Sequence, residues 1–560
     1  MTYAYFADGF EALVVGHGLA GLVAACELAE AGHRVAVIDQ ENAGNIGGQA
    51  YWSFGGLFMV DSAEQRRMRI KDSLELALLD WRASAGWDRL EGHHPEDQWA
   101  QAWGEAFVHF AAEELREWIT GHGVSFFPVV GWAERGGSTA TGHGNSVPRF
   151  HIPWGTGTGL VAPFARKLQR YVDRGLVRYH HRHRVDELIV ENSRVVGVRG
   201  AVLATDDAER GVATNREVID DFEFRAAATL LATGGIGANP ELVRSFWPER
   251  LGTPPQRMIS GVPAHVDGRM LAIAGDAGAR LVNQDRMWHY VEGIKNWNPI
   301  WERHGIRILP GPSSLWLDAT GHRLSPPALP GFDTLATLAE LRATGYDHSW
   351  FILNQKIIEK EFALSGSEQN PDLTGKDLKL LLKRLGPGAP GPVEAFKNHG
   401  EDFVVADTLD ELLTLMQELE PEVPLDTEQV QAEVRARDLQ LDNPFSKDAQ
   451  ITFIRSHRAS WGDKLIRVAP PGKLTDPANG PLIAVRLNIL TRKTLGGIQT
   501  DLNSQALDAT ATPIPGLYAA GEAAGFGGGG SHGYRALEGT FVGGCLFTGR
   551  TAGRAMAAEL

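Results

Sequence analysis

The stretch ALVVGHGLAG, residues 12–21, decides the fold of this chain. A short apolar run ends directly in a Gly-x-Gly-x-x-Gly motif, and a segment rich in Ala and Leu follows it, which predicts a strand, a tight turn and a helix. Gly16 permits the turn, Gly18 lets the backbone approach a pyrophosphate, and Gly21 lets the helix and the strand pack closely. The stretch therefore predicts a dinucleotide-binding site.

A second strand supports this prediction. Residues 34–39, RVAVID, follow the helix after Gly32 and end in Asp39. An acidic residue about 20 positions after the glycines can accept hydrogen bonds from a ribose hydroxyl. On these residues alone, NAD and FAD are both possible ligands.

Three further glycine-rich segments separate the two cofactors. NIGGQA at 45–50 and SFGGL at 53–57 form a loop whose amides can reach a second phosphate or an isoalloxazine ring. TLLATGG at 229–235 is another apolar strand that ends in glycines, and GLYAAGE at 516–522 repeats the pattern near the C-terminus. Four such clusters in this order point to FAD.

With these motifs the sequence resembles the flavoprotein superfamily that includes soluble fumarate reductases, the succinate dehydrogenase flavoprotein and the 3-ketosteroid dehydrogenases. The resemblance runs from Leu13 to about Gly278 and again from Asn488 to the end. It implies an α/β fold, namely a Rossmann-like FAD-binding domain with an inserted α+β capping domain. The FAD is expected to be non-covalent, because no histidine stands in the loop 47–56, where some relatives anchor the flavin.

The resemblance also implies cofactor contacts at particular residues. Val185 matches a position whose backbone touches adenine, and Glu522 matches one that bonds the ribityl chain. The full set of expected FAD contacts is Gly16, Gly18, Gly21, Asp39, Gln40, Asn45, Gly48, Gln49, Ala50, Ser53, Gly55, Gly56, Val185, Ala232, Thr233, Gly234, Asp267, Gly521 and Glu522.

The glycine-rich texture disappears in the middle of the chain. We therefore expect an FAD-binding domain over 1–280, an inserted capping or substrate domain over 281–487, and the rest of the FAD-binding domain over 488–560. By resemblance, the insert is a mobile cap that closes over the flavin and excludes water from the substrate. Its charged helical tract is also consistent with a plain solvated surface.

Two candidate catalytic places lie at the expected meeting of cap and flavin domain. His289 stands about where fumarate reductases place a substrate-binding histidine, although a core histidine would give the same pattern. Arg492 and Lys493, in TRKTLGG at 491–497, replace the histidine pair of the HHTMGG segment of fumarate reductases. This departure puts strict fumarate reduction in doubt, while a cationic pair can clamp an oxyanion or simply lie on the surface.

A third place is SHGYR at 531–535, which follows four consecutive glycines. It resembles the HGxNR element of fumarate reductases with one residue missing. Ketosteroid dehydrogenases place a tyrosine in this neighbourhood, where a phenol can polarise a ketone or exchange protons. His532, Tyr534 and Arg535 are therefore expected to be catalytic.

These features predict an FAD-dependent dehydrogenase or reductase that moves hydride between flavin N5 and a C–C bond beside a carbonyl. The 15 tryptophans favour a bulky, ketosteroid-like or other enone substrate over a small dicarboxylate. Two alternatives stay open: a flavin oxidase or hydroxylase that uses molecular oxygen, and a flavin-binding subunit without turnover. The electron donor or acceptor, the direction of the reaction and the oligomeric state are not determined.

Composition limits the partners. A formal net charge of −15 repels nucleic acid and anionic membrane surfaces. Two cysteines, Cys26 and Cys545, support neither a disulfide framework nor a metal site. The first ten residues show no signal peptide, and no apolar run is long enough to span a membrane. We expect a cytoplasmic protein with a small-molecule substrate.

Overall fold

The computed structural model describes residues 9–93, 95–136, 144–384, 386, 388–535, 537 and 539–560. Most of the segment in which no signal peptide is visible thus lies outside the described residues. The strands, in chain order, are β1 (Ala12–Val15), β2 (Val35–Asp39), β3 (Leu57–Phe58), β4 (Phe126–Gly131), β5 (Phe150–Pro153), β6 (Val177–His181), β7 (His183–Glu191), β8 (Arg194–Leu203), β9 (Val218–Arg225), β10 (Ala228–Leu231), β11 (Ile259–Ser260), β12 (Leu281–Val282), β13 (Met287–Lys295), β14 (Gly305–Leu309), β15 (Leu315–Asp318), β16 (His348–Asn354), β17 (Ala363–Leu364), β18 (Phe403–Ala406), β19 (Leu482–Thr494), β20 (Gly497–Ile498), β21 (Gln505–Leu507) and β22 (Pro513–Ala519).

The helices follow the same chain order. They are α1 (Leu19–Glu30), α2 (Gly48–Tyr51), α3 (Ala63–Arg67), α4 (Leu74–Ala85), α5 (Asp97–Glu113), α6 (Leu115–Gly121), α7 (Thr156–Val172), α8 (Pro240–Ser245), α9 (Arg269–Asp276), α10 (Thr334–Ala343), α11 (Gln355–Glu361), α12 (Pro371–Thr374), α13 (Leu378–Arg384), α14 (Gly391–His399), α15 (Leu409–Leu419), α16 (Thr427–Asp442), α17 (Ala449–His457), α18 (Trp461–Ile466) and α19 (Phe541–Glu559). None of the helices in the described ranges is both long and apolar enough to cross a membrane.

A six-stranded sheet in the order β21-β22-β10-β1-β2-β6 forms the first layer. β1 lies in its interior and pairs in parallel with β2 and β10, while β21 pairs antiparallel with β22 at one edge. All four residues of β1 and of β10 are buried, as expected for strands covered on both faces. The predicted α/β fold with a Rossmann-like FAD-binding sheet is confirmed.

The second large sheet is built mainly from the middle of the chain. Its central strand is the 13-residue β19, which pairs antiparallel with β13, β16 and β18 and in parallel with the short β11. β19 thus begins among the strands of the insert and ends at Arg492, Lys493 and Thr494, beside the FAD-binding sheet. The expected boundary between 487 and 488 falls inside this strand, so one continuous strand connects the two regions.

Candidate active site

The candidate site consists of two cavities of very different size. The smaller one, about 80 Å³, opens at the carboxyl ends of β1 and β2. Its wall includes seven of the residues that the sequence predicts to contact FAD: Gly16, Asp39, Gln40, Val185, Thr233, Gly234 and Asp267. Their convergence is the arrangement that the adenosine half of the cofactor requires.

In the glycine motif the backbone segments lie so close together that there is no room for a side chain. A Cβ atom on Gly21 would lie 2.0 Å from the carbonyl oxygen of Gly16, and one on Gly16 would lie 2.4 Å from that of Ala232. Gly16 also has a φ of +104°, which side chains rarely adopt. Helix α1 begins here without a side-chain cap or an acidic residue in its first turn, so its end can receive phosphate oxygens. These observations fit a pyrophosphate.

Asp39 lines the smaller cavity with a negatively charged carboxylate. Its carboxylate accepts hydrogen bonds from the backbone N–H groups of His17 at 2.9 Å and Glu41 at 2.8 Å. Burial alone raises the pKa of this carboxyl, but the nearby His17 imidazole and the two amides outweigh that effect and lower the pKa. Asp39 is therefore fixed as an anion, ready to accept from ribose hydroxyls.

Three distant motifs meet at Glu522, between the two cavities. Its carboxylate accepts a hydrogen bond from the Gln49 side-chain amide at 2.5 Å and from the backbone N–H of Thr494 at 2.8 Å. Burial raises the pKa of Glu522, and those two bonds oppose the rise. The contact joins the loop after β2, the end of β19 and the end of β22 into one wall.

The larger cavity, about 700 Å³, lies beyond this wall. Six more residues with predicted FAD contacts line it: Gln49, Ala50, Ser53, Gly55, Gly56 and Glu522. Apolar side chains also line it, among them Phe127, Phe150 and Phe541. A volume of this size suits a small organic molecule, and an apolar wall with few polar groups is typical of such sites.

One polar group from the segment 281–487 that lines this cavity is the phenol of Tyr290, on β13. Its oxygen accepts a hydrogen bond from the Lys493 ammonium. The guanidinium carbon of Arg307 lies 4.1 Å from the centre of the same ring. Both cations line the cavity with Tyr290, and a phenol oxygen between them is well placed to carry negative charge.

Buried carboxylates hold Arg307 in place. Its guanidinium donates to Glu134, and its Nε lies 3.5 Å from a carboxylate oxygen of Glu292. The hydroxyl of Thr334 donates to Glu292 at 3.0 Å. All four side chains are almost fully buried, and buried charges of this kind are stable only when paired. Arg307 is therefore a rigid part of the wall.

Arg492, on the other side of β19, also lines the cavity. Its guanidinium donates to the Ser365 hydroxyl at 3.4 Å. It also lies near Glu368, whose pKa burial raises to about 7 although a backbone amide and Arg492 oppose the rise. Arg492 and Lys493 thus both stand at the cavity, as the sequence predicts, and their catalytic roles stay predictions.

Six residues with predicted FAD contacts lie between or behind the two cavities. Gly18, Gly21, Gly48 and Ala232 belong to the tight packing of the glycine motif. Asn45 holds the loop by accepting a hydrogen bond from Gly211 N–H at 3.0 Å, and the N–H of Gly521 donates to the Thr548 hydroxyl at 2.8 Å. Gly21, Asn45 and Gly521 therefore shape the groove in this structure, and direct contact with the cofactor stays a prediction for them.

His289 is not among the described residues that line the larger cavity. The side chain is buried beside Trp247, with ring centres 5.2 Å apart. Burial, with a contribution from Arg250, lowers its pKa to about 3, so the imidazole is neutral. The neighbouring Tyr290 is the residue that reaches the cavity, because successive side chains of a strand point to opposite faces.

The residues of the SHGYR segment also lie away from the described wall of the larger cavity. His532 is buried, and its Nε2 is 2.6 Å from the Thr540 hydroxyl, while its ring stacks on Phe541. Tyr534 lies under Arg250, 4.6 Å from the guanidinium carbon, and Arg535 lies against Gly86. His532 thus supports a wall residue, Phe541, and the catalytic roles of all three stay predictions.

Tyr290 and Arg307 are the site residues that the sequence analysis missed. Tyr290 stands directly after His289, so the strand periodicity of Met287–Lys295 was the available signal. Arg307 contacts Glu134 from a position 173 residues away, a distance that no local pattern covers.

Comparisons with known proteins agree with this geometry. The family described as "FAD binding domain" matches residues 11–542. A KsdD-like steroid dehydrogenase of Mycobacterium tuberculosis is 61% identical over 551 residues, which cover 98% of this chain and 96% of that protein. Among solved structures, the 3-ketosteroid delta1-dehydrogenase of Sterolibacterium denitrificans is similar with a TM-score of 0.66 at 18% identity, covering 98% of this chain and 100% of that one. A flavocytochrome c3 fumarate reductase is similar with a TM-score of 0.61 at 18% identity, covering 98% and 78% of the two chains.

Proposed function

The chain belongs to the FAD binding domain family, and from that membership we propose that it is a dehydrogenase of bulky ring ketones, with 3-ketosteroids as its substrate class. It is an FAD-binding oxidoreductase that acts on CH–CH groups. The high identity to steroid dehydrogenases over nearly the whole length of both chains supports this class of substrate. The apolar cavity of about 700 Å³ beside the flavin-side glycines is the observation that carries the proposal.

The structure fits FAD at both ends of the groove. Asp39 and Val185 would hold the adenosine half, and the end of α1 would receive the pyrophosphate. Gln49, Ser53 and the buried Glu522 would hold the ribityl and ring portion. When bound, the flavin supplies a two-electron acceptor or donor for hydride at its N5 position.

The remaining chemistry falls to the side chains of the cavity. We assign the proton step to Tyr290, because its phenol oxygen faces the same cavity as the flavin-side residues and is bonded by Lys493. A proton moves between this oxygen and the carbon next to a ketone, while Lys493 and Arg307 stabilise negative charge on the oxygen. Arg492 would contact the polar end of the substrate.

This assignment gives each region of the chain a separate part of the site. The segment 281–487 would act as the capping domain over a base formed by 1–280 and 488–560. Tyr290 and Arg307 come from the cap, whereas Gln49 and Glu522 come from the base. Closure of the cap over the substrate would exclude water from the proton step.

Turnover with an artificial electron acceptor tests the proposal. The purified yellow protein should oxidise a ring-saturated 3-ketosteroid and reduce the acceptor in the same stoichiometry. Rapid reoxidation of the reduced protein by molecular oxygen, with hydrogen peroxide or a hydroxylated steroid as product, would instead identify an oxidase or hydroxylase. If neither 3-ketosteroids nor other cyclic enones exchange electrons with the bound flavin, the proposal fails.

A further inference from the structure

The mouth of the larger cavity carries exposed apolar side chains. Trp461 and Leu465 on α18 are 65% and 52% exposed, and Leu378 and Leu382 on α13 are 65% and 69% exposed. We call these four residues the apolar rim. Large apolar groups that share one region of the surface usually mark an interaction site, whereas isolated ones do not.

The two helices border the same opening. Leu381 of α13 and Leu465 of α18 both line the larger cavity. The same cavity is lined by the half-buried Phe127, whose ring stacks on that of Trp154 with centres 6.1 Å apart. The apolar rim is therefore continuous with the inner wall of the cavity.

Contacts on either side confirm that the helices flank this aromatic pair. A Cβ on Gly155, next to Trp154, would lie 3.0 Å from the side chain of Lys376, just before α13. A Cβ on Gly462, in α18, would lie 3.9 Å from the side chain of Val129, on the same strand as Phe127. Helix α18 therefore packs next to β4, and the residue just before α13 lies beside the turn that follows β5.

Basic side chains surround the apolar rim. Lys376, Lys379 and Lys464 are exposed, and Arg69 is exposed beside Met68, which approaches α18. Such a cluster is unusual on a chain with a net charge of −15.

The acidic residues nearby cancel only part of this charge. Asp463 is buried and bonds Arg135 at 2.7 Å, and the exposed Asp377 accepts hydrogen bonds from the amides of Lys379 and Leu380. Asp61 bonds Arg66 at 2.8 Å. The surface around the rim is therefore basic although the whole chain is acidic.

We propose that the apolar rim docks onto an anionic lipid bilayer, with the cavity mouth facing the membrane. Tryptophan and leucine enter the boundary between headgroups and acyl chains, and lysines beside them are attracted by anionic headgroups. A second copy of this chain fits less well, because the basic groups would then face each other. The inference concerns a surface outside the proposed reaction, and it explains how a sparingly soluble ring ketone would enter the cavity directly from the bilayer.

Co-sedimentation of the FAD-loaded protein with vesicles, without any steroid, tests the docking. One set of vesicles contains phosphatidylglycerol and phosphatidylcholine in equal parts, and the other contains phosphatidylcholine alone. We expect binding to the first set, weaker binding to the second, and a decrease with added salt, because salt screens the attraction to anionic lipid. No binding to the anionic vesicles would overturn the proposal.

Two double variants separate the apolar and the charged contributions. Trp461→Asp with Leu382→Asp should weaken binding to the anionic vesicles by more than about tenfold, because two apolar side chains no longer enter the bilayer. Lys379→Gln with Lys464→Gln should weaken it by roughly tenfold on anionic vesicles and hardly at all on neutral ones. Ile219→Asp, at a 60% exposed position on β9, is the matched control and should bind like the wild type.

Two further measurements keep the result unambiguous. None of the four substituted residues lines the described cavity wall, so turnover of dissolved steroid should be unchanged in both variants, which also shows that they fold. If the variants bind vesicles as well as the wild type, the rim is not the docking surface. If they bind vesicles normally but sedimentation velocity shows that a dimer has dissociated, the rim joins two copies instead.

Discussion

The two cavities of the candidate site are built in opposite ways. The smaller one, about 80 Å³, is formed largely by backbone at glycine turns and by one carboxylate that is held charged. The larger one, about 700 Å³, is formed by side chains from many parts of the chain, with apolar walls and the buried acid Glu522, whose pKa burial raises. In the proposed function, the smaller cavity holds the adenosine half of FAD by its shape, and the larger one holds the flavin ring together with the substrate.

Because of this difference, substitutions can disturb cofactor binding and proton transfer separately. In the smaller cavity a single added methyl group meets a carbonyl oxygen, so the effect of a substitution is steric and nearly complete. In the larger one a substitution removes a proton carrier or a charge and leaves the space open. Each of the following predictions should therefore affect one cavity and spare the other.

The largest effect is expected from Gly21→Val. Its Cβ would lie 2.0 Å from the Gly16 carbonyl oxygen, so strand and helix cannot keep their spacing and the pyrophosphate groove is lost. The purified variant should be colourless, as measured by its visible flavin absorbance. Gly121→Ala, which would meet no atom within 4 Å, is the control and should stay yellow. A folded Gly21→Val protein with a full complement of FAD would contradict this view of the small cavity.

Tyr290→Phe should affect only the large cavity. It removes the hydroxyl that accepts from Lys493, so turnover of a 3-ketosteroid should fall by about 10²–10⁴-fold. The FAD content should stay at the wild-type level, because phenylalanine keeps the aromatic ring in the wall and every residue expected to contact FAD is unchanged. Absorbance spectra and steady-state rates measured on the same preparation check both statements. A variant with normal turnover would remove Tyr290 from the mechanism.

The predictable part of the molecule coincides with the small cavity. Gly16, Asp39 and Gly234 stand in short contiguous motifs whose backbone geometry follows from residue type alone. In the large cavity the sequence points to His289, but the strand directs the next residue, Tyr290, into the space. A choice between two neighbours on a buried strand depends on its pairing with β19, which only the tertiary structure provides.

The partners of Tyr290 were unpredictable for the same reason. Arg307 is held by Glu134 and Glu292, which come from separate parts of the chain. Lys493 was found because a glycine-containing motif marks its position, although its bond to Tyr290 was not foreseen. Sequence motifs thus pointed to the cofactor groove and to one cation at the larger cavity, whereas the proposed proton carrier, Tyr290, emerged only from the fold.

Lys493→Met should have a smaller effect than loss of the phenol itself. A hydrogen bond to a charged group contributes about 1.5–3 kcal/mol, so kcat should fall by roughly 10- to 100-fold. Lys493→Arg should recover part of the rate, because it restores the charge near the Tyr290 oxygen. The pH dependence of kcat should change in Lys493→Met and stay close to the wild type in Lys493→Arg. Equal rates in the wild type and Lys493→Met would contradict the proposed stabilisation.

The buried acid Glu361, behind the far wall of the large cavity, should make stability depend on pH. Burial raises its pKa to about 7, so folding favours the protonated form. In the unfolded chain the Glu361 carboxyl ionises at a lower pH. The free energy of unfolding therefore falls by about 3 kcal/mol as the pH rises from about 4.5 to about 7.

Glu361→Gln removes this dependence. The variant should be less stable than the wild type at about pH 5, because glutamine has one acceptor oxygen where the carboxyl has two, so the N–H of either Ser313 or Ala469 loses its acceptor. The difference in stability should narrow towards about pH 8. Thermal unfolding at several pH values measures it. A gap between the two Tm values that stays constant or widens with pH would mean that Glu361 is ionised in the folded protein.

The smallest effect is expected from Tyr534→Phe. Tyr534 packs under Arg250 and does not line the described part of the large cavity. Turnover should change by less than about twofold, because phenylalanine keeps the ring that packs under Arg250, and substitutions away from a site usually have small effects. A large loss of kcat with normal FAD content would show that Tyr534, in the SHGYR segment, takes part in catalysis.

Anaerobic rapid mixing with a saturated 3-ketosteroid tests the central assignment most directly, because it observes the bound flavin during a single turnover. The wild type and Tyr534→Phe should lose the oxidised flavin absorbance at similar rates, whereas Tyr290→Phe should lose it at least about 100-fold more slowly. Equal rates in Tyr290→Phe and the wild type, or no loss of absorbance with any 3-ketosteroid, would contradict the account.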